Sequence, residues 1–165
     1  MYKDVSMRSI LFVCSANMCR SPMAEALFRN LLQQQQAVDW DVSSAGVWAY
    51  DGNRASEGAV NALKQKGIDL SRHRARSINL DMLRDSNLIL VMERNHKEAL
   101  QAAFPRYSNK VYLVSEMVGM THDILDPIGG SPADYADTAD ELEQLLRDAL
   151  PNIEGLIQGR KEDQL

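Results

Sequence analysis

An apolar run that stops dead at a cysteine sets what this chain can fold into. Ile10 to Val13 are β-branched, aliphatic and aromatic, and the run ends at Cys14. Such a short stretch with no polar alternation is the signature of a strand buried on both faces. Five residues separate Cys14 from Arg20, and Ser21-Pro22 follows at once. Ser is suited to cap a helix and Pro to its first turn. Behind them Met23, Ala26, Leu27 and Leu31 recur at helical spacing. Strand, tight loop and helix N-terminus are therefore predicted in that order.

A loop curled against a helix N-terminus turns backbone N–H groups inward, and the helix end adds partial positive charge. A phosphoryl group would be held by those donors and by the planar fork of Arg20. The same field favours a thiolate at Cys14, the nucleophilic form of the side chain. Ser15 and Ser21 are candidates to hydrogen-bond the sulfur, the loop or the phosphate. A buried structural cysteine ending a strand is the simpler reading of Cys14 alone. It does not account for Arg20, Ser21 and Pro22 at their offsets.

The string C-S-A-N-M-C-R-S-P resembles the signature of the low-molecular-weight protein tyrosine phosphatase family: Cys, two residues, Asn, one residue, Cys-Arg-Ser-Pro. The resemblance implies that Cys14 becomes a phosphocysteine and that Arg20 clamps the phosphoryl oxygens. It places Ser15, Ala16, Asn17, Met18, Cys19 and Ser21 around the phosphate. It departs at Ala16, where the family usually has Gly. An Ala there costs about 1 kcal/mol if the position needs a positive φ.

Phosphoryl transfer to sulfur expels an oxyanion, which a positioned acid must protonate. Asp126 in I-L-D-P-I-G-G-S-P is the candidate, with Asp123 a weaker rival. Asp-Pro alone reads as an ordinary turn. In the resembled family an Asp-Pro pair here supplies the general acid and later activates the hydrolytic water. The family usually follows that pair with an aromatic wall, where this chain has Ile128. Ser44 in S-S-A-G and His73 in S-R-H-R-A-R match the family motifs that hold the loop Asn. Trp48, just after Ala45-Gly46, is expected to line the pocket, with Tyr50 as the other candidate.

Cys19 is the second of two cysteines in 165 residues, which argues against a disulfide framework and for a cytoplasmic protein. A reversible Cys14–Cys19 bond and simple packing of Cys19 under the loop are both open. No stretch approaches the length of a membrane span, and no signal peptide is visible. The net charge of −5 argues against nucleic acid as the partner. The expected partner is a phosphorylated protein, with weak homodimerisation compatible; no metal and no cofactor are called for.

Length predicts one domain over 1–165, with 1–8 and 160–165 loose. Further strands are expected over 38–43, 88–92 and 110–114, and helices over 54–66, 79–84 and 95–104. A last helix begins near Tyr135, with Pro151 kinking or interrupting it before Ile153. Strands alternating with helices indicate an α/β, three-layer αβα fold. The resemblance, spanning roughly Ser9 to Leu150, implies a four-stranded parallel sheet.

The main functional expectation is hydrolysis of phosphotyrosine in proteins. The runner-up is a protein arginine phosphatase of the same fold. D-P-I-G-G-S…D-Y…D-E-L-E resembles the C-terminal part of those enzymes, which carry a small Thr where Met18 stands. Thiol-relay arsenate reductases share the fold but need cysteines beyond Cys19. A non-catalytic phosphate-binding adaptor is disfavoured by intact Cys14, Arg20 and Asp126.

Overall fold

The computed structural model describes residues 7–163. β1 (Arg8–Cys14), β2 (Trp40–Gly46), β3 (Leu88–Val91) and β4 (Val111–Leu113) form one sheet in the order β2-β1-β3-β4. Every pairing is parallel. Residues 10–13 of β1 are fully buried, as the central position of that strand requires. Side chains alternate between the faces. Ile10 and Phe12 pack with Met23, Leu27 and Phe28 of α1 (Arg20–Gln34) and with Leu142, Leu146 and Ile153 of the last helix. Leu11 and Val13 pack with Ile89, Val91, Leu83 and Leu100 on the other side. The chain is thus a three-layer α/β fold with a four-stranded parallel sheet.

Between β2 and β3 run α2 (Glu57–Lys64) and the short α3 (Leu80–Asp85). Ser56 caps α2 by accepting from the Ala59 N–H, so the helix starts later than residue 54. α4 (Arg94–Ala103) follows β3, and α5 (Pro132–Glu162) closes the fold. The second strand lies over 40–46 rather than 38–43, and Val38 is exposed.

Pro151 does not interrupt α5, which runs unbroken for 31 residues. The proline forfeits one backbone hydrogen bond. Ile153 and Ile157 beyond it are fully buried, and Asn152 Nδ2 donates to the Met117 carbonyl at 2.7 Å. Tertiary packing holds the segment helical. Of the residues expected to be loose, 1–6 and 164–165 lie outside the described residues. Arg8 opens β1, and 160–162 continue α5, where Arg160 donates to the Asn109 carbonyl and to the Tyr112 hydroxyl.

From β1 the chain moves one way to β2 and then returns past β1 to β3. The carboxyl ends of β1 and β3 therefore flank a topological switch point, where open α/β sheets bind ligands. The Met92 N–H donates to Val13 and the Ile124 N–H to Met92. These two bonds bring the segment carrying Asp126 beside the end of β1.

Candidate active site

Residues 15–19 link the end of β1 to the start of α1. Their carbonyls are largely engaged from outside. Trp48 N–H donates to Ser15, His73 Nε2 to Asn17 and Ser56 N–H to Met18, at 2.7–2.9 Å, while the Cys19 carbonyl takes the first bond of α1 from the Met23 N–H at 3.1 Å. None of the N–H groups of residues 15–19 finds an acceptor among the described residues. A row of free donors at the end of a 15-residue helix is an anion cradle.

Cys14 Sγ lies 2.9 Å from Ser21 Oγ. Ser21 does not cap the helix: Cys19 occupies the N-cap position, without a side-chain cap bond. Ser21 faces the sulfur instead, where its hydroxyl can donate to a thiolate. Pro22 sits in the first turn, where a missing N–H costs nothing.

Arg20 is 1% exposed. Its Nη1 donates to Glu93 Oε1 at 2.5 Å and to the Ile124 carbonyl at 2.7 Å, and its Nη2 to Asp126 Oδ2 at 3.3 Å. Its Nε has no partner among the described residues. A buried donor left unpaired costs about 1–3 kcal/mol, which an anionic oxygen would recover. Asp126 is also held by the Ile128 N–H at 3.1 Å. Asp123 is turned to α4, accepting from the Arg94 N–H at 2.9 Å, so it does not share the Arg20 cluster.

Asn17 carries the loop's backbone reversal, with φ 56°. Ala16 stays outside the positive-φ region, so the cost expected from its side chain does not arise. Asn17 Nδ2 donates to Ser21 Oγ at 2.8 Å and to Ser44 Oγ at 2.9 Å. Its Oδ1 accepts from the Arg76 N–H, and its carbonyl accepts from His73 Nε2 at 2.7 Å. Ser44 passes the network on to Glu25 Oε2 at 3.2 Å. Burial pushes the Glu25 carboxyl up, against the pull of Arg29 and His73. Ser44 and His73 thus both reach the loop asparagine.

Gly46 has no room for a side chain: a Cβ would sit 2.5 Å from the Ser15 carbonyl oxygen and 2.9 Å from the Asn17 nitrogen. Beyond it Trp48 is 62% exposed and Tyr50 79%. Trp48 is tied to the loop through its N–H and leans edge-on against His96, so it lies nearer the site than Tyr50. Met18 is half-buried, with its sulfur 3.9 Å from Asn53 Nδ2.

Both cysteines are free. Cys19 Sγ lies 3.0 Å from Ser56 Oγ and 3.9 Å from the Tyr135 hydroxyl, and burial pushes its thiol up. Glu93, His96, Arg76, Ser56 and Tyr135 are contributors that the sequence reading missed. For Glu93 and His96 the available signal was position: both follow the carboxyl end of a predicted strand.

Comparison with known proteins agrees with this geometry. Residues 9–158 match the family model of the low molecular weight phosphotyrosine protein phosphatases. The chain is 42% identical to a protein-arginine-phosphatase of Bacillus subtilis (strain 168), over 84% of this chain and 91% of that one. A mutant of YwlE from Bacillus subtilis superposes with a TM-score of 0.85 at 38% identity, covering 89% of this chain and 99% of the other. A low molecular weight protein tyrosine phosphatase from T. tengcongensis gives 0.84 at 40% identity, covering 87% and 98%.

Proposed function

This chain belongs to the low molecular weight phosphotyrosine protein phosphatase family and is a phosphatase, and we propose that it hydrolyses phosphotyrosine in proteins through a phosphocysteine on Cys14. The phosphoryl group sits in the 15–19 loop with Arg20 alongside. The Cys14 thiolate attacks phosphorus in line, forming the S–P bond as the P–O bond to the leaving group breaks. Asp126 gives its proton to the departing oxygen. It then takes a proton from the water that cleaves the S–P bond, and Cys14 leaves as thiolate with inorganic phosphate released. Cys14 must be ionised while Asp126 is protonated, so the pH–rate profile should be bell-shaped.

The row of unpaired N–H groups behind Cys14, beside a buried guanidinium with a free Nε, carries this reading. Preference for phosphotyrosine is supported by Met18, a long apolar side chain within the loop, and by the exposed Trp48, whose backbone N–H is bonded to the loop at Ser15. Exposed Leu125 and Ile128 flank Asp126-Pro127 and add apolar surface. An aryl leaving group suits such a rim better than a guanidinium. Sparing use of cysteine supports a cytoplasmic location. Among the described residues no helix is long and apolar enough to cross a membrane.

Phosphoarginine is the second reading, favoured by similarity to proteins named protein-arginine-phosphatase. Turnover of phosphotyrosine and phosphoarginine peptides by wild type and Met18→Thr separates the two. Wild type should favour phosphotyrosine, and Met18→Thr should move the ratio toward phosphoarginine by about 10–200-fold, the range one reshaped pocket contact commands. A wild-type preference for phosphoarginine would overturn the first reading. Cys14→Ser should lose turnover of any phosphomonoester and still bind inorganic phosphate; sustained turnover would remove Cys14 from its role.

A further inference from the structure

His96 takes no part in the reaction as written, yet it touches both halves of the phosphate clamp. It is fully buried in the first turn of α4. Its Nδ1 accepts from the Glu93 N–H at 3.2 Å, completing a reciprocal cap at the helix start. With Nδ1 accepting, the proton of the neutral ring is on Nε2, and Nε2 lies 2.8 Å from Ser15 Oγ. The neutral form is the one burial favours, holding the imidazole below its ordinary range. Nε2 is also 3.8 Å from Glu93 Oε2, and the other oxygen of that carboxylate receives Arg20. Trp48 stands edge-on to the ring at 6.4 Å.

A histidine that only capped α4 would need Nδ1 alone. The Nε2 contact reaches across 81 residues of sequence to the first residue of the loop. Ser15 is also where the row of free N–H groups begins, next to the nucleophile. One rigid ring therefore fixes the start of the cradle relative to the carboxylate that orients the guanidinium.

We propose that His96 is a positioning residue: its Nε2–H holds Ser15, and through it the loop N–H row, in register with the Glu93–Arg20 pair. The inference rests on the Cys14 loop being the phosphoryl site. Misplacing one half of the clamp by an ångström can cost up to about 100-fold in rate.

The test uses side chains that keep one bond and drop the other. In His96→Asn the amide oxygen can still accept from the Glu93 N–H, but nothing reaches Ser15. In His96→Gln the longer amide can donate to Ser15. Ser15→Ala removes the same bond from the loop side and leaves α4 untouched. Aryl phosphate turnover and inorganic phosphate inhibition should show kcat about tenfold lower and phosphate binding weaker in both His96→Asn and Ser15→Ala. His96→Gln should recover most of kcat. His96→Asn in the Ser15→Ala background should add no further loss, because the two changes remove one interaction. Wild-type behaviour of His96→Asn, failure of His96→Gln to recover, or multiplying losses in the double variant would each overturn the proposal. An inactive wild type, or an active Cys14→Ser, would instead sink the reading of the reaction itself.

Discussion

Asn17 shows how much of the site hangs on one side chain. Its backbone sits at φ 56°, where Asn is tolerated and Ala is not. Its amide bonds Ser21 and Ser44 and accepts from the Arg76 N–H, all inside the protein. Asn17→Ala leaves a backbone N–H unsatisfied and adds left-handed strain, together about 2–4 kcal/mol. Asn17→Gly removes the same bonds but relieves the strain, so it should lose about 1 kcal/mol less. Urea unfolding of the three proteins measures this; equal stability of the Ala and Gly variants would show that the backbone contributes nothing. Asn17, Ser44 and His73 were legible in the sequence through a motif resemblance. Glu93 and His96 were not, because no motif of that resemblance contains them and their contacts with Arg20 and Ser15 exist only once the chain is folded. Ser21 was legible both as a helix cap and as a partner of the sulfur, and only the second role holds: its hydroxyl faces Cys14 and Cys19 takes the cap position.

At the scale of elements, the loop keeps its shape because β2 ends in a residue without a side chain. Gly46 pairs with Cys14 in the sheet and passes directly under the Ser15 carbonyl. Gly46→Ala would press a methyl group against backbone atoms that have no freedom to yield, since Ser15 O accepts from Trp48 and Asn17 is bonded on four sides. Overpacking of this kind costs about 1–3 kcal/mol. Here the strain falls on the N–H row, so activity should suffer as well as stability. Turnover of an aryl phosphate by Gly46→Ala should drop well below that of wild type at a temperature where both are folded; unchanged kcat/KM would mean the loop absorbs the methyl elsewhere. The order and type of the elements were legible from apolar runs and helical spacing. Boundaries moved wherever a cap chose the start, as Ser56 does for α2. Pro151 does not end the helix, because local propensity is outweighed by the burial of Ile153 and Ile157 beyond it.

Over the whole molecule, the buried polar groups behind the loop link its charge state to the stability of the fold. His96 is held below its ordinary value of 6.5 by burial, with Arg20 in the same sense and Glu93, Asp123 and Asp126 opposing. On acidification the unfolded chain takes this proton first. The contribution of His96 is therefore fully present above about 6.5 and lost as pH falls through the lower folded value. Glu25 behaves in the opposite sense. Burial raises it above 4.5, so its contribution is present below that value and lost as pH rises through the folded one. The two groups reach the loop at different residues, His96 at Ser15 and Glu25 through Ser44 at Asn17, and their stability slopes oppose each other in the acid range. Removing either should unmask the other. The melting temperature of wild type minus that of His96→Gln should shrink as pH falls from 7 toward 5. The same difference against Glu25→Gln should shrink as pH rises from 4.5 toward 7. Parallel melting curves for all three proteins across that range would show that neither buried group changes its proton affinity on folding. The polar frame around the loop would then be as well hydrated as the unfolded chain.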